Sequence, residues 1–401
     1  MIIQNNRCRG VIGILTGGGD VPGLNPAIRR IASRAIKENY KVIGIKRGWA
    51  GLVEMQRDPQ ADNKDYYEEI SSTVLANMSR TEEAFLHSSR TKPSELLADE
   101  VPEHLRDLYR EPINDLTDEV KKNIEYLGID YIIPVGGDDT LKYALRLHRE
   151  GVKIIAIPKT MDGDVAGTDY CIGFSTCITR TIEMINTLSA SAGSHERFMI
   201  IEVFGRYAGF TAVLPTLAGV ANRCVIPEYK FSIDQLAELM VSDRAKNPGK
   251  YSIVVVSEGA MFYGGEQVAN DFKHQKRSGI GEKIAEQLYE ASAKFNGGKH
   301  IDTITQNLGY LVRSGFPDAT DSIVSIAYAN IALDMVLQKR SGLMTVFRDG
   351  CYSVADLDEV SLSKKEVDIE RFYDTELLCP KCNSFIGSPL MVMTATKFLQ
   401  K

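Results

Sequence analysis

Pro134-Val135-Gly136-Gly137-Asp138-Asp139-Thr140 is answered, roughly two dozen residues later, by Pro158-Lys159-Thr160-Met161-Asp162-Gly163-Asp164. Each motif follows an apolar, β-branched run, Asp130 to Val135 and Val152 to Ile157, of the length of a buried parallel strand. Between them, Leu141 to Glu150 has the apolar spacing and basic end of a crossover helix. Both motifs therefore follow the carboxyl ends of neighbouring strands, where open α/β sheets bind ligands. Four aspartates and one lysine at such a place suit a metal, a phosphoryl group and a hydroxyl being deprotonated.

Upstream, Gly10 to Thr16 reads as the first strand. It runs into Gly17-Gly18-Gly19-Asp20-Val21-Pro22-Gly23-Leu24-Asn25, followed by an amphipathic helix from Pro26 to Glu38. Strand, glycine loop and helix start together point backbone N–H groups and the positive helix end at a phosphate. The loop lacks the closing Gly-Lys-Ser/Thr of a Walker A sequence and does not fit GxGxxG. On its own it equally suits a close helix–sheet contact, with Asp20 capping the loop. Lys41 to Lys46 is the second strand. Met55 to about Leu127 is polar and rich in helix formers; it reads as helices in an excursion over the active face, ending in a helix from Asn114 to Leu127. Within it, Phe85-Leu86-His87-Ser88-Ser89-Arg90-Thr91-Lys92 is a basic and hydroxyl cluster that on composition alone is a solvated loop. Arg80-Thr81 competes with it as a second version of the same text.

Downstream the grammar repeats. Gly173-Phe174-Ser175-Thr176 opens a long helix through Ser189, and Phe198 to Val203 is a buried strand ending in Phe204-Gly205-Arg206-Tyr207-Ala208-Gly209. Tyr251 to Val256 ends in Ser257-Glu258-Gly259. Ile301 to Asn307 precedes Leu308-Gly309-Tyr310-Leu311-Val312-Arg313-Ser314-Gly315, and Asp321 to Leu337 is helical. The expected fold is α/β, with two doubly wound lobes and the active site in the cleft between them.

A length of 401 residues allows two full cores, and a net charge of -6 gives no footprint for nucleic acid. No segment reaches the uninterrupted apolar length of a membrane span, and Met1-Ile2-Ile3-Gln4-Asn5-Asn6-Arg7 contains no signal-peptide apolar region. The seven cysteines are scattered and suit a reducing, cytoplasmic compartment. Only Cys379-Pro380-Lys381-Cys382 has metal-ligand spacing. Without a second pair it reads as a turn with two free thiols; a zinc shared between subunits is the alternative.

A phosphoryl transfer to a sugar hydroxyl needs a donor cradle, a divalent metal, a base at the acceptor oxygen and positive charge on the migrating group. Gly18 and Gly19 suit the cradle, Asp138 a Mg2+ ion, Asp162 the base with Asp164 beside it, and Lys159 the migrating group. Arg90, Arg197, Arg206 and Arg313 suit a substrate's own phosphate. Any one of these residues alone reads as surface solvation. Five such clusters at strand ends do not.

In this order the motifs resemble those of the phosphofructokinases, over nearly the whole chain: Thr16 to Asn25, Gly136 to Thr140, Pro158 to Asp164, Phe204 to Gly209, Ser257 to Gly259 and Leu308 to Gly315. The resemblance implies two Rossmann-like lobes. Residues 1–172 with about 290–340 would bind the donor and Mg2+, and about 173–289 with 341–401 the sugar phosphate. It implies phosphorylation of fructose 6-phosphate on its 1-hydroxyl, with Gly19 and Arg90 at the donor, Asp138 as Mg2+ ligand and Asp162 as proton acceptor. Thr160 and Asp164 would lie beside the sugar. Phe204, Gly205 and Arg206 would form the sugar-binding turn, Glu258 the sugar carboxylate and Tyr310 to Arg313 the sugar-phosphate segment. Arg197 would reach in from a neighbouring subunit, which implies a homodimer or homotetramer. The chain departs from the family pattern at Gly163, Tyr310 and Ile304, where asparagine, histidine and arginine are common.

The resemblance also bears on the donor. ATP-dependent members usually carry glycine where this chain has Asp139, and often at Lys159; pyrophosphate-dependent members carry Asp and Lys. A carboxylate at Asp139 would lie where the α-phosphate of ATP must go. Two like charges ~4–5 Å apart at an effective dielectric near 20 repel by roughly 3–4 kcal/mol. The expectation is the pyrophosphate-dependent type, working reversibly. The alternatives are the ATP-dependent type and a catalytically silent regulatory subunit of the same fold.

Overall fold

The apolar runs singled out in the sequence are strands, each within a few residues of its expected bounds. The computed structural model describes residues 8–78, 83–264, 279–362 and 365–382. The chain divides into two units, the first formed by Met1–Thr160, Val165–Gly173 and Ser314–Ser363, the second by Met161–Asp164, Phe174–Arg313 and Lys364–Lys401.

The first unit is built on a seven-stranded sheet in the order Cys351–Asp356, Leu343–Arg348, Ile155–Pro158, Tyr131–Gly136, Gly10–Gly17, Tyr40–Ile45, Tyr67–Glu69. The five inner strands are parallel and the two edge strands antiparallel. Tyr131–Gly136 is buried throughout, as its unbroken apolar run requires of a strand covered on both faces. The chain leaves Gly10–Gly17 toward one edge and Tyr131–Gly136 toward the other, so a topological switch point lies between them. Helix Leu24–Lys37 turns Leu24, Ala27, Ile28, Ile31, Ala32 and Ala35 inward at helical spacing and carries Arg34 and Lys37 in its last turn. Helix Asp138–Arg149 is the crossover between the two motifs.

The second unit has a four-stranded, wholly parallel sheet in the order Thr303–Asn307, Phe198–Val203, Ser252–Ser257, Arg223–Val225. Helices Phe174–Ser194, Ile233–Lys246 and Ile280–Phe295 accompany it. Ser232 caps the second of these, its side chain accepting from the Gln235 N–H.

Three expectations are corrected. Residues 343–356, assigned from sequence to the second lobe, complete the first unit's sheet because Leu343–Arg348 pairs with Ile155–Pro158; helix Ile280–Phe295 and strand Thr303–Asn307 belong to the second. Among the described residues of the polar stretch from Met55 to Leu127, only Ser72–Met78 and Thr117–Tyr126 are α-helical. Pro93, Pro102 and Pro112 follow one another too closely for a further helix between them. Finally, Ala319–Leu337 is long and apolar enough to cross a membrane, with half of that stretch buried. It carries the buried Asp321, which accepts from Tyr170 Oη at 2.7 Å and Gly173 N–H at 2.8 Å within the first unit. It is a core helix.

Candidate active site

The glycine loop and the Gly-Gly-Asp-Asp turn meet at the switch point because their strands pair in register, Gly17 opposite Gly136. Thr140, the third residue of its helix, packs over both. A Cβ on Gly17 would stand 2.5 Å from Thr140 Oγ1, and one on Gly136 2.4 Å from Thr140 Cγ2. The Phe85–Lys92 cluster docks on this loop instead of standing in solvent. The Gly18 N–H donates to Ser89 O at 2.8 Å, Ser88 Oγ donates to Gly18 O at 2.6 Å, and Thr16 Oγ1 donates to His87 O at 2.5 Å. Arg90, next in the chain, is exposed.

Lys159 is buried, and its ammonium donates to Gly19 O. It lies 2.9 Å from where a Gly18 Cβ would stand, and Gly18 has φ +86°, so both space and backbone require glycine there. Asp138 opens its helix, with Oδ2 accepting from Lys142 at 2.9 Å. The Asp139 side chain is 70% exposed and pairs with Lys92 at 3.2 Å. The Thr160 N–H donates to Ile172 O at 3.1 Å.

In the second unit three adjacent strands end side by side, Ser257 opposite Val203 and Asn307 opposite Glu202. The turn after Val203 is bound to its neighbour through the backbone. The Glu258 N–H donates to Val203 O at 2.9 Å and the Gly259 N–H to Gly205 O at 3.1 Å, while the Thr211 hydroxyl donates to Phe204 O. A Cβ on Gly259 would stand 2.0 Å from Arg206 O, so the two turns nest only with glycine there. Arg206 Nε lies 3.8 Å from Glu258 Oε1, and both side chains are mostly buried. Burial pushes the Glu258 carboxyl above its ordinary pKa; Arg206 pulls it back and Glu202 pushes it further. Arg313 is buried, its guanidinium 4.2 Å from the centre of the exposed Tyr310 ring and 5.6 Å from that of Phe204. Asp162 is half-buried and Asp164 buried. Such a cluster offers charged donors and an acceptor carboxylate, little screened by water, to a ligand bearing hydroxyls and phosphate.

Residues 11–336 match the family described as Phosphofructokinase. This chain belongs to the phosphofructokinase family. ATP-dependent 6-phosphofructokinase 3 of Streptomyces coelicolor is 32% identical over 91% of this chain and 98% of its own length. A pyrophosphate–fructose 6-phosphate 1-phosphotransferase of Amycolatopsis methanolica is also 32% identical, over 91% of this chain and 98% of its own. In fold the chain is similar to the pyrophosphate-dependent phosphofructokinase from Marinobacter aquaeolei, with a TM-score of 0.68 at 20% identity, covering 92% of this chain and 90% of that one. It is similar also to phosphofructokinase from Saccharomyces cerevisiae, with a TM-score of 0.67 at 22% identity over 88% of this chain, and spans 45% of that longer chain.

Within this phosphofructokinase the expected site residues fall into two groups. Gly18, Gly19, Asp138, Asp139, Lys159 and Thr160 belong to the first unit, and Phe204, Gly205, Arg206, Glu258, Tyr310 and Arg313 gather in the second. Asp162 and Asp164 follow Lys159 by three and five residues yet group with the second unit. Two of these expectations change. The Gly18 N–H is taken by Ser89, so it is not a cradle donor. Arg197, expected to serve a neighbouring subunit, stands before Phe198–Val203, at the strand end opposite Phe204; six residues at ~3.3 Å each keep it ~20 Å from the turn within one chain. The second change concerns Asp139: exposed and paired with Lys92, it lies toward the water limit, where the repulsion estimated above falls to about 1 kcal/mol.

Arg80 lies outside the described residues. Cys379 and Cys382 are free thiols, and no group of three or more metal-ligating side chains occurs among the described residues. Mg2+ asks for less, one or two carboxylates with phosphate oxygens and water, and Asp138 at a strand end fits that donor set. A pocket of about 510 Å3 lies elsewhere in the first unit, where Leu24, Arg29 and Arg30 face Phe316 and Ile326; it contains none of the expected site residues. Sequence reasoning missed two groups. Lys365 is a buried lysine whose N–H donates to Asp164 O at 3.2 Å and whose ammonium lies 5.5 Å from the centre of the Phe210 ring. Glu228 accepts from the Gly209 N–H at 2.9 Å and the Val367 N–H at 2.8 Å. No motif marks either one, since both act on chain segments far away in sequence.

Proposed function

We propose that this phosphofructokinase transfers a phosphoryl group from pyrophosphate to the 1-hydroxyl of fructose 6-phosphate, reversibly, as a cytoplasmic homo-oligomer that uses Mg2+. The observation that carries this reading is the convergence of the Lys159 ammonium, Gly18 and the start of the Asp138–Arg149 helix at the Gly17/Gly136 switch point. A buried ammonium occupies the floor of the glycine loop, and Asp138 and Asp139 open the next helix; in this reading a nucleotide would have to continue past them and pyrophosphate would not.

In this reading the Asp162 carboxylate takes the proton from O1 of the sugar as O1 forms its bond to phosphorus. The bond from phosphorus to the bridging oxygen breaks, and phosphate leaves. Lys159 and Arg90 stabilise the negative charge on the migrating group. Asp138 would hold Mg2+, which when bound neutralises charge on the pyrophosphate oxygens. Arg206 and Glu258 hold the sugar, with Thr160 and Asp164 beside it, and Arg313 with Tyr310 takes the 6-phosphate. Arg197 serves a neighbouring subunit.

One observation favours an ATP-dependent reading instead. The Lys92–Asp139 ion pair offsets the charge that would oppose the α-phosphate of ATP. Coupled assays in both directions, with pyrophosphate or ATP and with or without a chelator, separate the two. We expect pyrophosphate to exceed ATP in kcat/KM by at least about tenfold, the factor that ~1.4 kcal/mol represents. Equal activity with ATP would overturn the donor, and no product from either would overturn the reading.

A further inference from the structure

Glu202 is buried, 3% exposed, in strand Phe198–Val203, and no role above uses it. Its Oε2 accepts from the Gly281 N–H at 2.8 Å, and its Oε1 accepts from Asn307 Nδ2 at 2.8 Å. Its backbone carbonyl accepts from the Leu308 N–H at 3.0 Å. One residue thereby fastens its own strand to the first turn of helix Ile280–Phe295 and to the end of strand Thr303–Asn307. A carboxylate at a helix N-terminus is electrostatically well placed. The fit is also tight: a Cβ on Gly281 would stand 2.9 Å from Glu202 Oε2 and 3.1 Å from Thr305 Cγ2.

Asn307 is held on one side and lies close against the following turn on the other. Its amide nitrogen is held by Glu202, and its Oδ1 lies 2.9 Å from where a Gly309 Cβ would stand. Gly309 opens the short turn Gly309–Val312, which delivers Arg313 over the rings of Tyr310 and Phe204. Phe204 in turn follows Glu202 by two residues. Both walls of the Arg313 position are thus tied to Glu202.

We propose that Glu202 is a positioning residue for the sugar-phosphate end of the site: by holding Asn307 and the start of helix Ile280–Phe295 it sets segment Leu308–Arg313, and with it the Arg313 guanidinium. This rests on the reading of that segment as the one that takes the 6-phosphate. A purely structural carboxylate would, when altered, lower the melting temperature and change both substrates' kinetics alike.

The test uses the full-length chain with Glu202→Gln, Asn307→Ala and the double variant, measuring kcat, both KM values and the melting temperature. Glutamine keeps the size but presents an NH2 where an oxygen accepted, so one of the two donors loses its partner. We expect KM for fructose 6-phosphate to rise about tenfold in each single variant, with KM for pyrophosphate within about twofold and kcat falling less than KM rises. The double variant should fall short of the product of the two single effects, because Asn307 and the helix start hang on the same side chain. Asn307 is exposed, so Asn307→Ala decides the matter alone if Glu202→Gln fails to fold. Multiplying effects, equal changes in both KM values, or a change in melting temperature only would overturn the inference. A wild-type chain that neither phosphorylates nor binds fructose 6-phosphate would overturn the functional reading and this inference with it. An active wild type without the KM split overturns this inference alone.

Discussion

In the first unit the donor-side charges stand on a scaffold made mostly of main chain. Gly18 and Ser89 are joined through their backbones, the buried Lys159 is held by a carbonyl, and Asp139, the charge on which donor choice turns, lies 70% exposed beside Lys92. In the second unit the charged side chains are themselves sunk into the protein. Arg313 and Glu202 are buried, and Arg206 faces Glu258 with little water around either. Exposed charges are screened and exchangeable, whereas desolvated ones are stiff and costly to leave alone. Donor choice should therefore be shallow, and recognition at the sugar side steep.

The steepest effect is expected at Asp162. Asp162→Asn removes the proton acceptor and should lower kcat by ~10²–10⁴, the usual weight of a general base, with both KM values little changed. Steady-state kinetics with pyrophosphate measure this, and a loss under tenfold would move the base elsewhere. A smaller change is expected on the donor side. Asp139→Gly with Lys159→Gly should raise ATP-dependent kcat/KM by about fivefold, as the ~1 kcal/mol left for an exposed, paired carboxylate allows. No gain in a folded double variant would remove charge from the account of donor choice, and a gain of several hundredfold would show that Asp139 acts with far less screening.

The smallest effect concerns pH and stability. Burial gives Glu258 a folded-state pKa above its ordinary 4.5, so between those two values the folded chain binds more protons than the unfolded one. Stability from this group accordingly falls as pH rises through that window and levels off above the raised pKa. Glu258→Gln should flatten part of this slope in urea unfolding measured across the window. Glu202 and Glu228 are pushed upward by burial as well, so a slope remains. An unchanged slope would mean that Glu258 is better solvated than its surroundings indicate.

Strands, crossover helix and glycine turns were legible in the sequence because they rest on local signals: unbroken apolar runs, period and punctuation. The lobe boundaries were not. Whether Leu343–Arg348 joins the first sheet depends on pairing with Ile155–Pro158, nearly two hundred residues away in sequence, and no local pattern encodes that choice. The same holds at the site. By composition Ser88 and Ser89 read as loop solvation, whereas both are bonded to Gly18, and Ser89 also to Arg47. Asp139 was legible as a charge but not as half of a pair with Lys92, and Glu202 was hidden inside an apolar strand. Motifs announced the reactive side chains, while the residues that hold them in place carried no signal of their own.

Thr140 imposes a condition on anyone who would graft this donor loop onto another scaffold. One methyl and one hydroxyl roof both Gly17 and Gly136, so the two turns form a single transplantable piece. Moved alone, the glycine loop would leave its roof behind, and the Gly136–Thr140 turn would carry a roof with half of what it covers missing.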